Sequence, residues 1–184
     1  MFWIENLAAV LGVLSVWLMA RQKPLAWPVG FAMVVLYAVV FFEARLYSET
    51  LLQAVYAVLQ AYGWWRWLRG DNAAHGALPV TTLRTPLVLR DLGVGLLLTA
   101  ALGAFMHLNT NAQMPWLDAA LTGFSLVGQY WMANKRLQCW PLWIVLDVAY
   151  VGMFWAAGLM TTALLYAGFV GLALYGWRQW RAAR

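Results

Sequence analysis

Long apolar blocks separated by short polar ones run the whole length of this chain. The blocks cover approximately 2–20, 25–43, 46–68, 88–107, 115–133, 139–157 and 159–178. Each is about the length that a helix rising 1.5 Å per residue needs to cross ~30 Å of hydrocarbon. Lipid offers no hydrogen bonds, so a spanning segment must satisfy its own backbone, and a helix does so. The pattern predicts an all-α integral membrane protein with seven transmembrane helices and no soluble domain. Blocks two and six open on Trp27-Pro28 and Trp140-Pro141. Proline is tolerated there because first-turn N–H groups have no helical partner.

Composition agrees. Hydrophobic residues make up 64% of the chain and charged ones 10%, against roughly 45–50% and 25% for an ordinary globular domain. Charges so sparse could not cover a soluble core of this size. The first block carries Glu5 near its start and Arg21 after its end, the reverse of a signal peptide, which predicts a retained helix.

The net charge of +5 resolves once the loops are sorted. Seven spans place Arg21, Lys23, Arg66, Arg69, Arg84, Arg90, Lys135, Arg136, Arg178, Arg181 and Arg184 on one side, and Arg45 alone on the other. Such an asymmetry marks the basic face as cytoplasmic, with the N-terminus outside and the C-terminus inside. It also accounts for the charge without nucleic acid. Trp64, Trp65, Trp67, Trp177 and Trp180 fall at the same face, where an aromatic belt is expected.

The shift that carries Trp27-Pro28 onto Trp140-Pro141 aligns much else without a gap. Met19-Ala20 meets Met132-Ala133, Tyr37 meets Tyr150, Phe41 meets Phe154, Tyr62-Gly63-Trp64 meets Tyr175-Gly176-Trp177, and Trp67 meets Trp180. This is an internal repeat. Residues 1–68 form one three-helix unit and 115–184 the other, with 69–114 holding a polar linker, helix four and an outer loop. Both units then begin on the same side, which makes them parallel repeats. Parallel repeats of this kind are a transporter architecture, with substrate sites near the midplane where the repeats meet.

Polar residues inside the spans supply the candidate chemistry. Asp147 falls near the centre of helix six, where an acid costs on the order of 2.5–3.5 kcal/mol to insert. It needs a partner or a wet cavity: a cationic ligand, or a protonated carboxyl bonded to a neighbouring helix. Trp143 and Trp140 precede it by one and two turns, a stripe able to stack an aromatic ring and hold a cation, worth about 0.5–2 kcal/mol. Gln129 on helix five lies at about the depth of Asp147. Gln53, Tyr56 and Gln60 share one face of helix three. They suit ribose hydroxyls or an amide, and equally suit interhelical hydrogen bonds. Asp118 starts helix five near the outer surface, where N-cap or first-turn duty is expected of an acid rather than ligand binding.

Other chemistries are not indicated. The one cysteine, Cys139, reads as a packing residue, and His75 and His107 are too far apart in sequence for a metal pair. No metalloprotease motif, Ser/His/Asp arrangement or phosphate loop is present. No metal or cofactor is implied, and the expectation is a transporter, not an enzyme. A membrane-embedded enzyme using Asp147 as acid or base is the alternative from another class.

Two stretches carry a family resemblance. Trp27-Pro-Val-Gly, Tyr37, Phe41-Phe42, Leu46-Tyr47, Leu51-Leu52-Gln53 and Tyr62-Gly63-Trp64-Trp65-Arg66-Trp67 resemble the first half of the Pnu family of bacterial vitamin transporters. Asn134-Lys-Arg, Trp140-Pro-Leu-Trp143, Asp147-Val, Gly158-Leu159, Leu164-Leu-Tyr166, Gly176 and Trp180 resemble the second half. The resemblance implies a three-plus-one-plus-three helix arrangement and a homotrimer in the bacterial inner membrane. It also implies facilitated diffusion of a vitamin, followed by trapping through a separate kinase. Nicotinamide riboside is the family's main substrate, thiamine the close alternative, and riboflavin is carried by relatives. Asp147 stands where the nicotinamide riboside type has an asparagine, and Tyr175 roughly where it has a second one. The substrate residues implied are Asp147, Trp143, Trp140, Gln129, Gln53, Tyr56, Gln60, Tyr37, Tyr150 and Tyr175.

Overall fold

A computed structural model of the chain describes residues 2–43, 47–70, 77–109, 114–156, 158 and 160–184. Arg45, Leu46, His75 and Leu159 lie outside the described residues. Those described form seven helices: α1 (Phe2–Ala20), α2 (Ala26–Glu43), α3 (Tyr47–Arg69), α4 (Thr85–Asn109), α5 (Pro115–Ala133), α6 (Cys139–Ala156) and α7 (Met160–Ala182). Five of the expected spans agree to within a residue. Helices α4 and α7 run longer, for a physical reason. Pro86 sits in the first turn of α4, ahead of the apolar run, and α7 carries on through Arg178-Gln-Trp-Arg181 beyond it.

Among the described residues, α4 and α6 alone are long and apolar enough to cross a bilayer by length and composition. The apolar stretches of α1 and α2 are shorter, Asn6–Ala20 and Ala26–Val40. Helices α3, α5 and α7 are diluted by polar residues such as Gln53, Gln60, Ser125, Gln129 and Thr162. Of these, Gln60, Ser125 and Gln129 are buried within the protein, where lipid does not meet them.

The turns after α1 and α5 are the same turn. Gln22 (φ 55°) and Lys135 (φ 48°) take the left-handed conformation that ends a helix, although glycine or asparagine is usual there. The residue after each donates its N–H five residues back, Lys23 to Leu18 and Arg136 to Trp131, at 2.9 and 2.8 Å. Ala26 then bonds to Lys23 and Trp27 to Pro24, as Cys139 bonds to Arg136 and Trp140 to Leu137. Every one of these pairs matches under the shift that superposes the two Trp-Pro dipeptides.

The chain clusters into two compact units. The first comprises Met1–Val80, Ala133–Lys135 and Tyr175–Arg184, with α2 packed against both α1 and α3. Its core is tryptophan. Trp27, fully buried, meets Trp67 edge-on at 5.4 Å, and Trp67 meets Trp180 at 5.9 Å. Gly63 makes the space: a Cβ there would lie 2.2 Å from the Trp27 ring. Trp67 donates its indole N–H to the Ala133 carbonyl (3.1 Å) and Trp180 to that of Met19 (3.0 Å). Lys135, buried, lies over the Trp67 ring at 4.6 Å and donates to Gln22 Oε1 at 3.0 Å. These contacts gather Arg21, Lys23, Arg66, Arg69, Lys135, Arg178 and Arg181 at one end of the unit. Glu43, at the far end of α2, lies away from them.

The second unit comprises Thr81–Met132 and Arg136–Leu174. Residues 81–83 run beside the start of α6. Thr81 pairs with Arg136, whose guanidinium donates to its hydroxyl at 2.6 Å, while Gln138 both accepts from and donates to the Leu83 backbone. Buried Asp91, in the second turn of α4, accepts the indole N–H of Trp131 at 2.7 Å and two bonds from Arg90.

Candidate functional site

Helix α6 is apolar on nearly every side, and hydrophobicity alone does not orient it. Its aromatic residues show a finer order. Trp140, Trp143, Asp147, Tyr150 and Phe154 recur at alternating steps of three and four, which keeps them on one stripe of the helix. Towards Phe154 the stripe closes on itself. Tyr150 and Phe154 stack at 5.9 Å with 14° between planes, and Tyr166 of α7 lies 4.7 and 5.2 Å from them.

Asp147 lies at the middle of that stripe and is only 5% exposed. No described residue donates a hydrogen bond to it or pairs with it. The contrast with Asp91 is direct, since that carboxyl is equally deep but is held by an indole and a guanidinium. A buried acid left without a partner is costly, and positions of this kind are where ligands and ions bind in membrane proteins. Trp143, one turn before it, is half-buried, and its Nε1 is enclosed without an acceptor. Trp140 is buried at the head of α6. Gln129 is buried on α5, next to Gly128, which lies against the Trp143 indole. Asp147, Trp143, Trp140, Gln129 and Tyr150 thus all belong to the second unit.

Four other candidates belong to the first unit, and Tyr175 does so too. On α3, Gln53 and Tyr56 are half-buried and Gln60 is buried, while Ala54, Val55 and Val58 between them are exposed. The polar face therefore points into protein. The Gln60 amide lies over Gly30, and its Oε1 is enclosed without a donor. Tyr37 and Tyr175 are half-buried.

Several readings of single residues are refined. Asp118 is in the first turn of α5 rather than at its cap. Cys139 is fully buried, with its Sγ 3.8 Å from the Met132 sulfur. His107 packs near Trp116 at 6.4 Å. No group of metal-ligating side chains occurs among the described residues. Sequence reasoning missed Asp91, Gly30 and Gly128. The repeat could have flagged the two glycines, because it sets Gly30 against Trp143 and Ser15 against Gly128.

The chain matches the model of the family described as nicotinamide mononucleotide transporter, over residues 2–182. It belongs to that family. This is the Pnu family that the Trp-Pro and Tyr-Gly-Trp motifs resemble. The nicotinamide riboside transporter PnuC of Escherichia coli is 27% identical over 202 residues, covering 97% of this chain and 84% of the relative. The riboflavin/roseoflavin transporter RibM of Streptomyces davaonensis is 28% identical over 183 residues, with the same coverage of each chain. A crystal structure of the vitamin B3 transporter PnuC shares the fold, with a TM-score of 0.76 at 24% identity, covering 98% of this chain and 81% of that one. The chain is therefore a multi-pass membrane transporter of a vitamin-carrying family. It is not an enzyme, and the acid–base alternative for Asp147 is set aside.

Proposed function

We propose that this protein carries an aromatic, positively charged vitamin across the bacterial inner membrane, with nicotinamide riboside as the leading substrate. The observation that carries the reading is Asp147: a carboxyl at mid-span, 5% exposed, with no partner among the described residues and with Trp143 one turn away. The pyridinium ring of nicotinamide riboside offers both a cation for the acid and a face for the indole. Trp140, Gln129 and Tyr150 complete this group. Gln53, Tyr56, Gln60, Tyr37 and Tyr175 are the further polar contacts we assign to substrate.

The family's description names the mononucleotide, but its phosphate would bring negative charge to a carboxylate. No described Lys or Arg pairs with Asp147 to offset that. A nucleoside suits the site better than a nucleotide. Thiamine, also an aromatic monocation, is the second reading on the same observation. Riboflavin, carried by one relative, has no positive charge for Asp147 to hold.

Transport proceeds by facilitated diffusion, because one mid-span acid offers little to couple to an ion gradient. A separate kinase then traps the vitamin inside. The basic residues gathered at one end of the first unit support a cytoplasmic C-terminus and an outer N-terminus. The repeat supports the division into 1–68, 69–114 and 115–184. The exposed apolar faces of α4 meet lipid or neighbouring protomers of a homotrimer.

Purified protein in liposomes tests this. Labelled nicotinamide riboside should equilibrate to the outside concentration without ATP or an imposed gradient, and excess thiamine should compete better than riboflavin. Accumulation above the outside level, driven by a proton gradient, would refute facilitated diffusion.

A further inference from the structure

The slot in which the Trp143 indole lies has an unusual wall. Facing its Cε2–Nε1 edge is Gly128 of α5, and a Cβ on that residue would lie 3.3 Å from both atoms. That is tight enough that the indole would have to give way. The enclosed Nε1 finds no acceptor there, so the indole is held in its slot by shape and not by a hydrogen bond. The rest of the ring remains partly open, and Asp147 is the next polar group along the same stripe.

The internal repeat shows that this arrangement is not required by the fold. The residues equivalent to Gly128 and Trp143 in the first half are Ser15 and Gly30. Ser15 carries a side chain, whose hydroxyl donates to the Ala26 carbonyl at 2.9 Å. Gly30 offers none, and its space is filled by Gln60 of α3. The position equivalent to Gln60 in the second half is Ala173, small and buried. One half fills the slot from its third helix with an amide. The other fills it from its second helix with an indole and removes the side chain opposite.

We propose that Gly128 is a specificity-determining position for the transported substrate. By offering no Cβ it lets the Trp143 indole retreat against α5, and this sets the ring size that fits beside Asp147. A methyl group at 128 displaces the indole by a few tenths of an ångström towards its open side, which penalises large rings more than small ones. The inference rests on the transport reading above, with Asp147 and Trp143 touching substrate.

The test is binding of nicotinamide riboside, thiamine and riboflavin to the purified full chain, by titration calorimetry. Gly128→Ala should weaken the larger ligands at least tenfold more than nicotinamide riboside. Trp143→Phe in the same chain should restore the wild-type ratio by giving back the space. Where the wild type binds nicotinamide riboside alone, Trp143→Phe should admit a larger ring, and Gly128→Ala should remove that gain. An equal change for every ligand, or a ratio that Trp143→Phe leaves untouched, overturns the role of Gly128. If Gly128→Ala fails to fold, Trp143→Phe alone decides, with no shift towards larger rings counting against it. A wild type that binds none of the three overturns the transport reading instead.

Discussion

The indoles of Trp67 and Trp180 lie 5.9 Å apart, and each donates its N–H to a carbonyl at the end of a helix from the other half of the sequence. Trp67 of the first half reaches Ala133 at the end of α5, and Trp180 of the second half reaches Met19 at the end of α1. The two tryptophans are equivalent under the repeat, and so, to within one residue, are the carbonyls. The halves clasp each other reciprocally at their basic end. Trp67→Phe keeps most of the ring but leaves the Ala133 carbonyl without its side-chain donor, at a cost of about 1–3 kcal/mol. Trp180→Phe should cost a similar amount, and either Trp→Ala about 3–5 kcal/mol. The rings touch, so the double Phe variant should depart from the sum of the singles. Thermal unfolding in detergent measures all five, and a Trp67→Phe protein as stable as the wild type would dismiss the clasp.

Lys135 gives this end of the molecule a pH dependence. Its ammonium donates to Gln22 and lies over Trp67, yet burial pushes its pKa from the ordinary 10.5 down to about 8. A depressed pKa means that the folded state binds the proton less well than the unfolded state does. The stability tied to this group is complete above about 10.5 and lost as pH falls through 8. The wild type should therefore gain melting temperature between pH 8 and 10.5 relative to Lys135→Met, which has no proton to lose. Parallel melting curves over that range would count against the assignment.

Gly63 supports the same cluster by what it lacks. A methyl group there would sit 2.2 Å from the fully buried Trp27 ring, which is itself wedged against Trp67. Well-packed cores lose about 1–3 kcal/mol to added methylenes, and more where nothing can move. Gly63→Ala should sit at the upper end of that range. Trp27→Phe in the same chain should recover part of the loss. Unfolding midpoints of the two variants decide it, and a neutral Gly63→Ala would mean the helices can part.

Much of this molecule was legible in the sequence because its signals are local. Apolar runs fix the helices, Trp-Pro dipeptides mark where α2 and α6 begin, and matched aromatics expose the repeat. The ends of α4 and α7 were read short because hydropathy stops where the hydrocarbon does, whereas a helix continues through Arg and Gln. The caps at Gln22 and Lys135 were not singled out, since neither is the glycine or asparagine usual at a left-handed helix end. Asp91 escaped notice next to Arg90, with its true partner Trp131 forty residues away. The repeat marks positions 30 and 128 as unlike their equivalents, but what packs against Gly30 and Gly128 is not legible in it. A helix apolar all round does not declare which face meets its neighbour, so the side chain that fills each glycine's space had to come from the structure.

Asp147 separates binding from folding more cleanly than any other residue here. Its carboxyl has no partner among the described residues, and replacing it with the isosteric amide removes the charge without opening a cavity. Asp147→Asn should leave the melting temperature equal to the wild type's or raise it, because an unpaired buried acid is a cost to the fold. Binding of a cationic vitamin should weaken by about 10- to 100-fold, the equivalent of losing one charge-assisted contact of about 1.5–3 kcal/mol. A neutral competitor such as riboflavin should be affected far less, which isolates charge from shape. Direct titration of wild type and variant with nicotinamide riboside, thiamine and riboflavin reads all three effects. Equal affinity of both proteins for nicotinamide riboside would show that the acid does not meet the pyridinium. A variant that loses every ligand and melts early would instead place Asp147 among the residues that hold the helices together.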